Sequence, residues 1–308
     1  MAAKKESIPS YGKLPGKKLE QKVREAKKRL SSCNLCPWDC QADRMGGELG
    51  RCRAPAEAVV ASYSPHFGEE PQLVGVRGSG TIFFSHCNLE CVFCQNWEIS
   101  QEGTGRKVSP EALADIMMQL QRSGCHNINL VTPTPHVAVI LEALTGAVEK
   151  GLKLPLVYNC GGYESLDTLR MLEGVVDIYM PDFKYWAEDT AREYSGPPDY
   201  PQRAREALKE MQRQVGDLKT DERGIAYRGL LVRHLVLPQD LGGTAEVVRF
   251  LAEQISPHCA ANIMQQYYPA YKVLEYASKY PALNRHLQHR EYEEAKKTAA
   301  EAGLNLLK

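Results

Sequence analysis

The chain contains 308 residues, of which 43% are hydrophobic and 25% are charged, and its formal net charge is zero. This composition is typical of a globular protein, and the balanced charge gives no overall field that would attract nucleic acid or an anionic membrane. No apolar run approaches the roughly 20 residues of a membrane span, and no apolar segment follows the lysines of residues 1–5 as in a secretory signal. We therefore expect a cytoplasmic protein without nucleic acid or membrane partners.

Ten cysteines in such a chain point to metal or redox chemistry, because a reducing compartment disfavours structural disulfides. Seven of them fall into two tight groups, which are Cys33, Cys36, Cys40 and Cys52, followed by Cys87, Cys91 and Cys94. Cys125, Cys160 and Cys259 stand apart, and we interpret Cys125 and Cys259 as small packing residues.

The N-terminal part of the chain predicts an arm, a helix and a cysteine-rich segment. Residues 1–16 are interrupted by prolines and glycines and predict an irregular arm. Residues 17–31 predict a helix, because apolar residues recur on one face and lysines and arginines cover the other, which we interpret as solvated. The first cysteine group follows directly, and residues 58–63 predict a short strand.

From residue 81 onward, strands alternate with helices. The predicted strands are Thr81–Ser85, Asn127–Val131, Pro155–Asn159, Val175–Met180, Leu230–Leu237 and Asn262–Tyr267. The predicted helices are Pro110–Ser123 with Ser109 as its N-cap, Val137–Lys150, Ser165–Leu172, Pro201–Val215, Ala245–Ile255 and Glu291–Ala302. Parallel strands need helical crossovers, so six such units predict an α/β fold with a partial (β/α)6 TIM-like barrel. We expect this barrel over residues 57–308 and a separate cysteine-rich extension over residues 1–56.

The second cysteine group follows the first barrel strand directly, at the sheet edge where such folds place their active sites. Cys87, Cys91 and Cys94 are spaced to hold three irons of a [4Fe–4S] cluster. The fourth iron then has no protein ligand, which leaves a coordination position for a substrate. The alternative is a zinc loop that takes a fourth ligand elsewhere, with His86 as the nearest candidate.

The segment Ser85–Asn96, SHCNLECVFCQN, resembles the signature of radical S-adenosylmethionine (SAM) enzymes. More narrowly, it resembles the pyruvate formate-lyase activating enzymes and, among them, the PflX-like branch, over roughly residues 33 to 300. The resemblance implies the partial barrel of the radical SAM type and a cluster whose open iron is chelated by the amino and carboxylate groups of SAM. Phe93 is then a candidate to pack on the adenine ring.

Further segments are similar to activase motifs. Met180–Lys184, MPDFK, resembles an Asp-x-Lys element, which implies that Lys184 binds the SAM carboxylate and Asp182 helps to hold a monovalent cation. The alternative for this pair is a surface ion pair at a strand end. Arg233 matches an arginine beside the adenosyl group of SAM.

Two loops differ in how closely they follow the activase pattern. Asn159, Gly161 and Gly162 occupy the place of an Asp-Thr-Asn-Gly segment, and the glycines would allow backbone to approach a ligand, although a plain tight turn is the alternative. The Gly-Gly-Glu segment that contacts the SAM amino group in the family is replaced here by residues 132–136, TPTPH. Thr132 or Thr134 remains a candidate to accept a hydrogen bond from that amino group.

The N-terminal cysteine group offers four ligands and therefore a closed metal site. Cys33, Cys36, Cys40 and Cys52 suit either a structural zinc or an auxiliary [4Fe–4S] cluster, and the cysteine pattern does not separate the two. Four thiols without metal are the remaining interpretation.

The resemblance implies a radical reaction. One electron from flavodoxin or ferredoxin would cleave SAM to methionine and a 5′-deoxyadenosyl radical, which abstracts hydrogen from a substrate. By resemblance the substrate is a glycine in a partner glycyl-radical enzyme. The alternatives are a radical SAM enzyme that modifies a small molecule or another protein, and a zinc module that binds nucleic acid without catalysis. Strand–helix alternation and the Asp-x-Lys element argue against the zinc module.

Overall fold

A computed structural model describes residues 8–307. Its strands are β1 Ala58–His66, β2 Ser79–Phe84, β3 Arg106–Val108, β4 Ile128–Val131, β5 Leu156–Cys160, β6 Ile178–Pro181, β7 Lys219–Thr220, β8 Ala226–Leu235, β9 Ala260–Met264 and β10 Asn305–Leu306. The strand order is β10-β9-β8-β6-β5-β4-β2-β1-β3, with β7 paired to β8 beside this path. The seven strands from β10 to β2 are parallel, and β1 and β3 are antiparallel additions at one edge.

The helices are α1 Gly16–Leu30, α2 Pro71–Val74, α3 Trp97–Ser100, α4 Pro110–Arg122, α5 Val137–Glu149, α6 Leu166–Leu172, α7 Glu188–Ser195, α8 Tyr200–Val215, α9 Thr244–Phe250, α10 Lys272–Glu275 and α11 His289–Glu301. Ser109 caps α4 as predicted, because its hydroxyl accepts a hydrogen bond from the Ala112 N–H at 3.2 Å. Within residues 8–307, no helix is both long and apolar enough to cross a membrane.

The two faces of the sheet pack against different partners. The row Ile82, Leu130, Tyr158 and Tyr179 lies on the face that shares the large core with the crossover helices. On the opposite face, Val157, Ile178, Met180 and Leu231 form a smaller apolar cluster with Leu73 of α2. We call this second face the inner face, and α2 covers its apolar cluster.

The α/β class and the mostly parallel sheet are confirmed. The six predicted parallel strands correspond to β2, β4, β5, β6, β8 and β9, with ends shifted by a few residues. The predicted strand at residues 58–63 is β1, which continues to His66 and runs antiparallel to β2. In the described part of the chain, the outermost strands β3 and β10 do not pair with each other, so the barrel is not closed.

The N-terminal segment is anchored to the sheet at two points. The Ser10 N–H donates to the Asp177 carboxylate at 2.7 Å, and the Tyr11 hydroxyl donates to the Leu154 carbonyl at 2.7 Å. Helix α1 follows, with both ends one residue earlier than predicted, and packs on α5. Residues 8–15 contain one 3-10 turn, and residues 1–7 of the predicted arm lie outside the described part.

Candidate active site

The second cysteine group lies in the loop between β2 and α3. The Ser195 hydroxyl, at the end of α7, donates to the Cys91 sulfur at 2.9 Å, and the sulfur of Cys94 is 3.1 Å from the Ser100 hydroxyl. The backbone Glu90 N–H also donates to the Ser195 carbonyl at 3.0 Å. The end of α7 therefore holds the middle of this loop, and that helix was not predicted.

The thiols of this loop are close enough to influence one another. Burial raises the pKa of Cys87, and the neighbouring Cys91 and Cys94 raise it further. Burial also raises the pKa of Cys91, against which the Lys184 ammonium acts. In residues 8–307 no three His, Cys, Asp or Glu side chains converge on one point as metal ligands, so the thiols would have to turn toward a common cluster. Three adjacent sulfurs beside a cation nevertheless fit the donor set of an iron–sulfur cluster.

A charged network connects the C-terminal ends of β5, β6 and β8. The Asp182 carboxylate accepts hydrogen bonds from the Lys184 ammonium at 2.6 Å and from the Arg233 guanidinium at 2.8 Å. Arg233 also donates to the Asn159 side-chain carbonyl at 2.7 Å. Burial works to raise the pKa of Asp182, but Arg233 and Lys184 outweigh it and the pKa is lowered. Four residues proposed separately from the sequence thus form one contiguous set.

Two glutamates that the sequence analysis left unassigned join this network from the inner face. The Glu69 carboxylate lies 3.5 Å from the Arg233 guanidinium, and Glu70 accepts a hydrogen bond from the Asn262 side chain at 2.9 Å. Burial raises the pKa of Glu69, and Arg233 opposes this shift. The only sequence signal was a pair of adjacent acids before Pro71, which carries no periodicity or motif.

The two glycines after β5 allow close packing of backbone. Gly162 has a φ of +82°, and a Cβ atom there would meet the Asp182 carbonyl oxygen at 2.3 Å. A Cβ atom on Gly161 would meet the Leu89 side chain at 2.7 Å and would lie 3.9 Å from Lys184. Gly162 therefore allows close approach to the end of β6, and Gly161 allows close approach to Leu89 of the cysteine loop.

The two threonines of the segment after β4, Thr132 and Thr134, lie in different environments. Thr132 has a φ of +58°, which is strained for a β-branched residue, and its N–H donates to the Asn159 carbonyl at 2.8 Å. Thr134 is buried, and its hydroxyl donates to Glu164 at 2.8 Å. Burial raises the pKa of Glu164 to about 7. Thr134 is therefore engaged inside the protein, whereas Thr132 lies at the sheet edge beside Asn159.

Phe93, which lies in the cysteine loop just before Cys94, packs in an aromatic cluster. Its ring packs edge-on against Tyr267 at 5.8 Å and against Tyr185 at 6.5 Å between ring centroids, and it is 6% exposed. The ring thus supports the loop between Cys91 and Cys94 from the protein side.

The first cysteine group forms a second cluster of thiols. Cys33 is buried, Cys36 and Cys52 are partly exposed, and Cys40 is exposed. Burial raises the pKa of Cys36, and the neighbouring Cys52 and Cys33 raise it further. Burial likewise raises the pKa of Cys52, against the charge of Arg44, and Cys40 acts in the same direction as burial. Cys52 therefore interacts with each of the other three thiols, although the four sulfurs do not converge as preformed ligands in the described residues.

Comparison with known proteins assigns the family. The model of the radical SAM superfamily matches residues 81–221, which include the cysteine loop, Asn159, Asp182 and Lys184. Residues 81–221 belong to the radical SAM superfamily. It is also 32% identical over 299 residues to the uncharacterized protein MJ0674 of Methanocaldococcus jannaschii, an alignment that covers 94% of this chain and 80% of that protein.

Two solved structures are similar to this radical SAM protein. One is Streptococcus suis SuiB bound to the precursor peptide SuiA, with a TM-score of 0.46, 14% identity and coverage of 71% of this chain and 46% of that chain. The other is anSMEcpe with bound AdoMet, with a TM-score of 0.44, 10% identity and coverage of 70% and 57%. The chain spans about half the length of these structures. Membership of the superfamily implies a [4Fe–4S] cluster and SAM as cofactors, and an electron donor.

Proposed function

We propose that this radical SAM protein is an activating enzyme of the PflX-like branch, which generates a radical on a glycine of a partner protein. The observation that carries the proposal is the charged network of Asn159, Asp182, Lys184 and Arg233, placed beside the cysteine loop. Lys184 acts on the ionisation of both Asp182 and Cys91, so its ammonium lies between the network and the loop. That is where a carboxylate of SAM chelated to the cluster would need a cation.

Each residue has a role in holding the cofactors. Cys87, Cys91 and Cys94 ligate the [4Fe–4S] cluster, which with bound SAM supplies a 5′-deoxyadenosyl radical on one-electron reduction. Lys184 binds the SAM carboxylate, and Asp182 keeps Lys184 and Arg233 in place and helps to hold a monovalent cation. All three side chains are about 15–17% exposed, so this network is reached by a ligand yet largely shielded from water.

Neighbouring groups complete the SAM site. Arg233 and Asn159 form the side toward the adenosyl group, and Gly161 and Gly162 let the backbone approach it. Thr132 is the candidate to accept a hydrogen bond from the SAM amino group in place of the missing glutamate. Within residues 8–307 its hydroxyl makes no hydrogen bond, whereas that of Thr134 is bound to Glu164. Phe93 supports the cysteine loop through its contacts with Tyr185 and Tyr267, and the packing of its ring on adenine stays a prediction.

The other parts of the proposal concern organisation and partners. Residues 1–56 are an extension in which Cys33, Cys36, Cys40 and Cys52 bind zinc or an auxiliary [4Fe–4S] cluster, and residues 57–308 form the partial barrel. Flavodoxin or ferredoxin reduces the enzyme in the cytoplasm, and the substrate is a protein rather than nucleic acid or a membrane component.

The decisive experiment is anaerobic turnover with SAM and reductant. Replacing Cys87, Cys91 or Cys94 with Ala should abolish 5′-deoxyadenosine formation measured by chromatography, because each iron needs its thiolate. With the unmodified enzyme and candidate glycyl-radical proteins, electron paramagnetic resonance should detect a stable carbon-centred radical. Full 5′-deoxyadenosine formation by a cysteine variant would overturn the assignment of the cluster. Cleavage of SAM without a glycyl radical on any candidate would favour a small-molecule or different protein substrate.

A further inference from the structure

Arg44 lies among the N-terminal cysteines without an acidic partner. It is 2% exposed, and its guanidinium is 3.8 Å from the Cys33 sulfur. It donates to the Pro135 carbonyl at 2.8 Å and to the Pro55 carbonyl, and no carboxylate in the described residues pairs with it. An arginine stays protonated in proteins, and burial of its charge is costly unless an anion lies nearby.

The cysteines around Arg44 can supply that anion only as thiolates. Four thiolates on Zn²⁺ or on a [4Fe–4S] cluster retain a net negative charge in either case, whereas four neutral thiols do not. The unbalanced arginine is therefore an observation, independent of the cysteine spacing, that favours a metal site over free thiols.

The same segment is attached to the loop of the second cysteine group. The Trp38 indole N–H donates to the Asn88 carbonyl at 2.7 Å, and Arg51 forms an ion pair with Glu90 at 3.0 Å. The Arg51 guanidinium also lies 4.5 Å from the centre of the Trp38 ring, which packs edge-on against Tyr163. Trp38 lies between Cys36 and Cys40, and Arg51 precedes Cys52, so both contacts start from the thiol cluster.

We propose that the N-terminal cysteines form an anionic thiolate–metal site, balanced by Arg44, that positions the Cys87–Cys94 loop through Trp38 and Arg51. A bound metal would fix the turns of residues 33–52, and those turns present the two side chains to Asn88 and Glu90. The role of the Cys87–Cys94 loop rests on the proposed function. The N-terminal metal site and its charge balance with Arg44 are independent of that function.

The first experiment tests the site without the radical cluster. Full-length Cys87→Ala protein is prepared anaerobically, and zinc and iron are measured by plasma emission together with the visible spectrum. We expect either one zinc or a coloured iron–sulfur cluster per chain, and loss of that metal when Cys33→Ser is added. Unchanged metal content in the double variant would refute the site.

Substitutions of Arg44 test whether its charge balances the thiolate–metal site. In competition with a chelator, Arg44→Met should weaken retention of the N-terminal metal by about tenfold or more, and Arg44→Lys should lose less because it keeps the charge. Equal retention in all three proteins would refute the role of Arg44. If Arg44→Met does not fold, as judged by circular dichroism, the comparison of wild type with Arg44→Lys and Arg44→Gln decides the same point.

The second experiment tests the link to the loop. Trp38→Phe removes the indole N–H and keeps an aromatic ring, and Arg51→Gln removes a half-exposed charge, so both should fold and keep the N-terminal metal. We expect chelator to extract iron from the radical cluster several-fold faster in each variant and the resonance signal of the reduced cluster to change. Arg223→Gln, which breaks a surface ion pair with Asp221, is the matched control and should behave as wild type. Extraction rates equal to the control would refute the positioning role while leaving the SAM chemistry untouched.

Discussion

At the scale of single residues, the site depends on a balance of charge. Lys184 and Arg233 are both largely buried and share the carboxylate of Asp182. Burial lowers the pKa of a lysine, but Asp182 and Cys91 outweigh this effect and raise the pKa of Lys184. Glu69 also pairs with Arg233, whereas the Lys184 ammonium shares the Asp182 carboxylate with Arg233. Lys184 is therefore the cation of this edge best placed to bind another anion, such as the carboxylate of SAM.

Replacing Lys184 with Ala should weaken SAM binding while the cluster stays assembled. A lost charge-assisted hydrogen bond is worth roughly 1.5–3 kcal/mol, so the affinity should fall about tenfold to a hundredfold. Chelation to the open iron remains, so binding should not vanish. Titration with SAM, followed by the electron paramagnetic resonance change of the reduced cluster, measures the effect.

Lys107→Ala provides the matched control for this substitution. Lys107 forms an exposed ion pair with Glu57, and such pairs contribute about 0–1 kcal/mol. SAM affinity should be unaffected in that variant. An equal affinity in Lys184→Ala would remove Lys184 from the binding site and would favour the interpretation of its contact with Asp182 as a structural ion pair.

Gly162→Ala should disturb the same network through the backbone. The new Cβ atom would meet the Asp182 carbonyl at 2.3 Å in a strained backbone conformation, so strand β6 would have to move. Gly151 has a similar φ of +88° but nothing within 4 Å, so Gly151→Ala should cost only about 1–2 kcal/mol of strain. We expect Gly162→Ala to lose distinctly more unfolding free energy and also SAM affinity. Similar losses in the two variants, measured by denaturant unfolding and SAM titration, would contradict this explanation.

The convergence of the main site residues was predictable because strand ends carry them. Asn159 and Asp182 lie at the C-terminal ends of predicted parallel strands, and parallel strands bring those ends to one edge. Arg233 falls in the middle of the predicted strand Leu230–Leu237, whereas β8 begins at Ala226 and ends at Leu235, which places Arg233 near its C-terminal end. Glu69 was missed because a loop without periodicity gives no direction to its side chains. The buried position of Thr134 was also not predictable, since it depends on Glu164 and Tyr158 from the following segment.

At the scale of elements, the short helix α2 covers the apolar cluster of the inner face. Leu73 is fully buried against Val157, Ile178 and Leu231, and Glu70, at the N-cap of α2, reaches Asn262. A four-residue helix has little stability of its own, so its position depends on this apolar anchor. The placement of Glu69 beside Arg233 therefore depends on the packing of Leu73.

Leu73→Ala should lower both stability and SAM binding. A buried leucine replaced by alanine costs about 2–5 kcal/mol, and release of α2 would free Glu69 from Arg233. Leu274→Ala is the control, because Leu274 is 61% exposed and its loss should change the unfolding free energy by less than about 0.5 kcal/mol. Anaerobic denaturant unfolding followed by circular dichroism measures the first effect and SAM titration the second. Normal SAM affinity in a clearly destabilised Leu73→Ala protein would separate α2 from the site.

Elements with strong periodicity were predicted, and short or polar ones were not. Helices α4 and α5 carry long apolar stripes and clear boundaries, so their predicted ends agree within one residue. Helix α7 is largely polar, with Ala191, Tyr194 and Ser195 as its buried residues, and β3 and β10 have three and two residues. Such segments acquire their structure from neighbours, which a local pattern does not contain.

At the scale of the whole molecule, the N-terminal segment extends from the N-terminal ends of the parallel strands to their C-terminal ends. Ser10 is bound to Asp177, just before β6 begins, whereas Trp38 is bound to Asn88 after β2 ends. Between these points, α1 packs on α5 and contributes Leu19, Ala26 and Leu30 to the large core. The sequence predicted helix α1 and a cysteine-rich segment after it. It did not predict these two hydrogen bonds, because each joins residues 50 or more positions apart.

These anchors lead us to expect that α1 unfolds together with the sheet rather than before it. In native-state hydrogen exchange at increasing denaturant, the amides of α1 should show opening free energies close to those of α5, because the two helices share a buried interface. Helix α10, in which only Val273 is buried, should exchange at a lower opening free energy and serves as the internal reference. Exchange of α1 together with α10, well below α5, would show that the N-terminal segment opens independently and that its contacts with the barrel contribute little to the stability of the whole molecule.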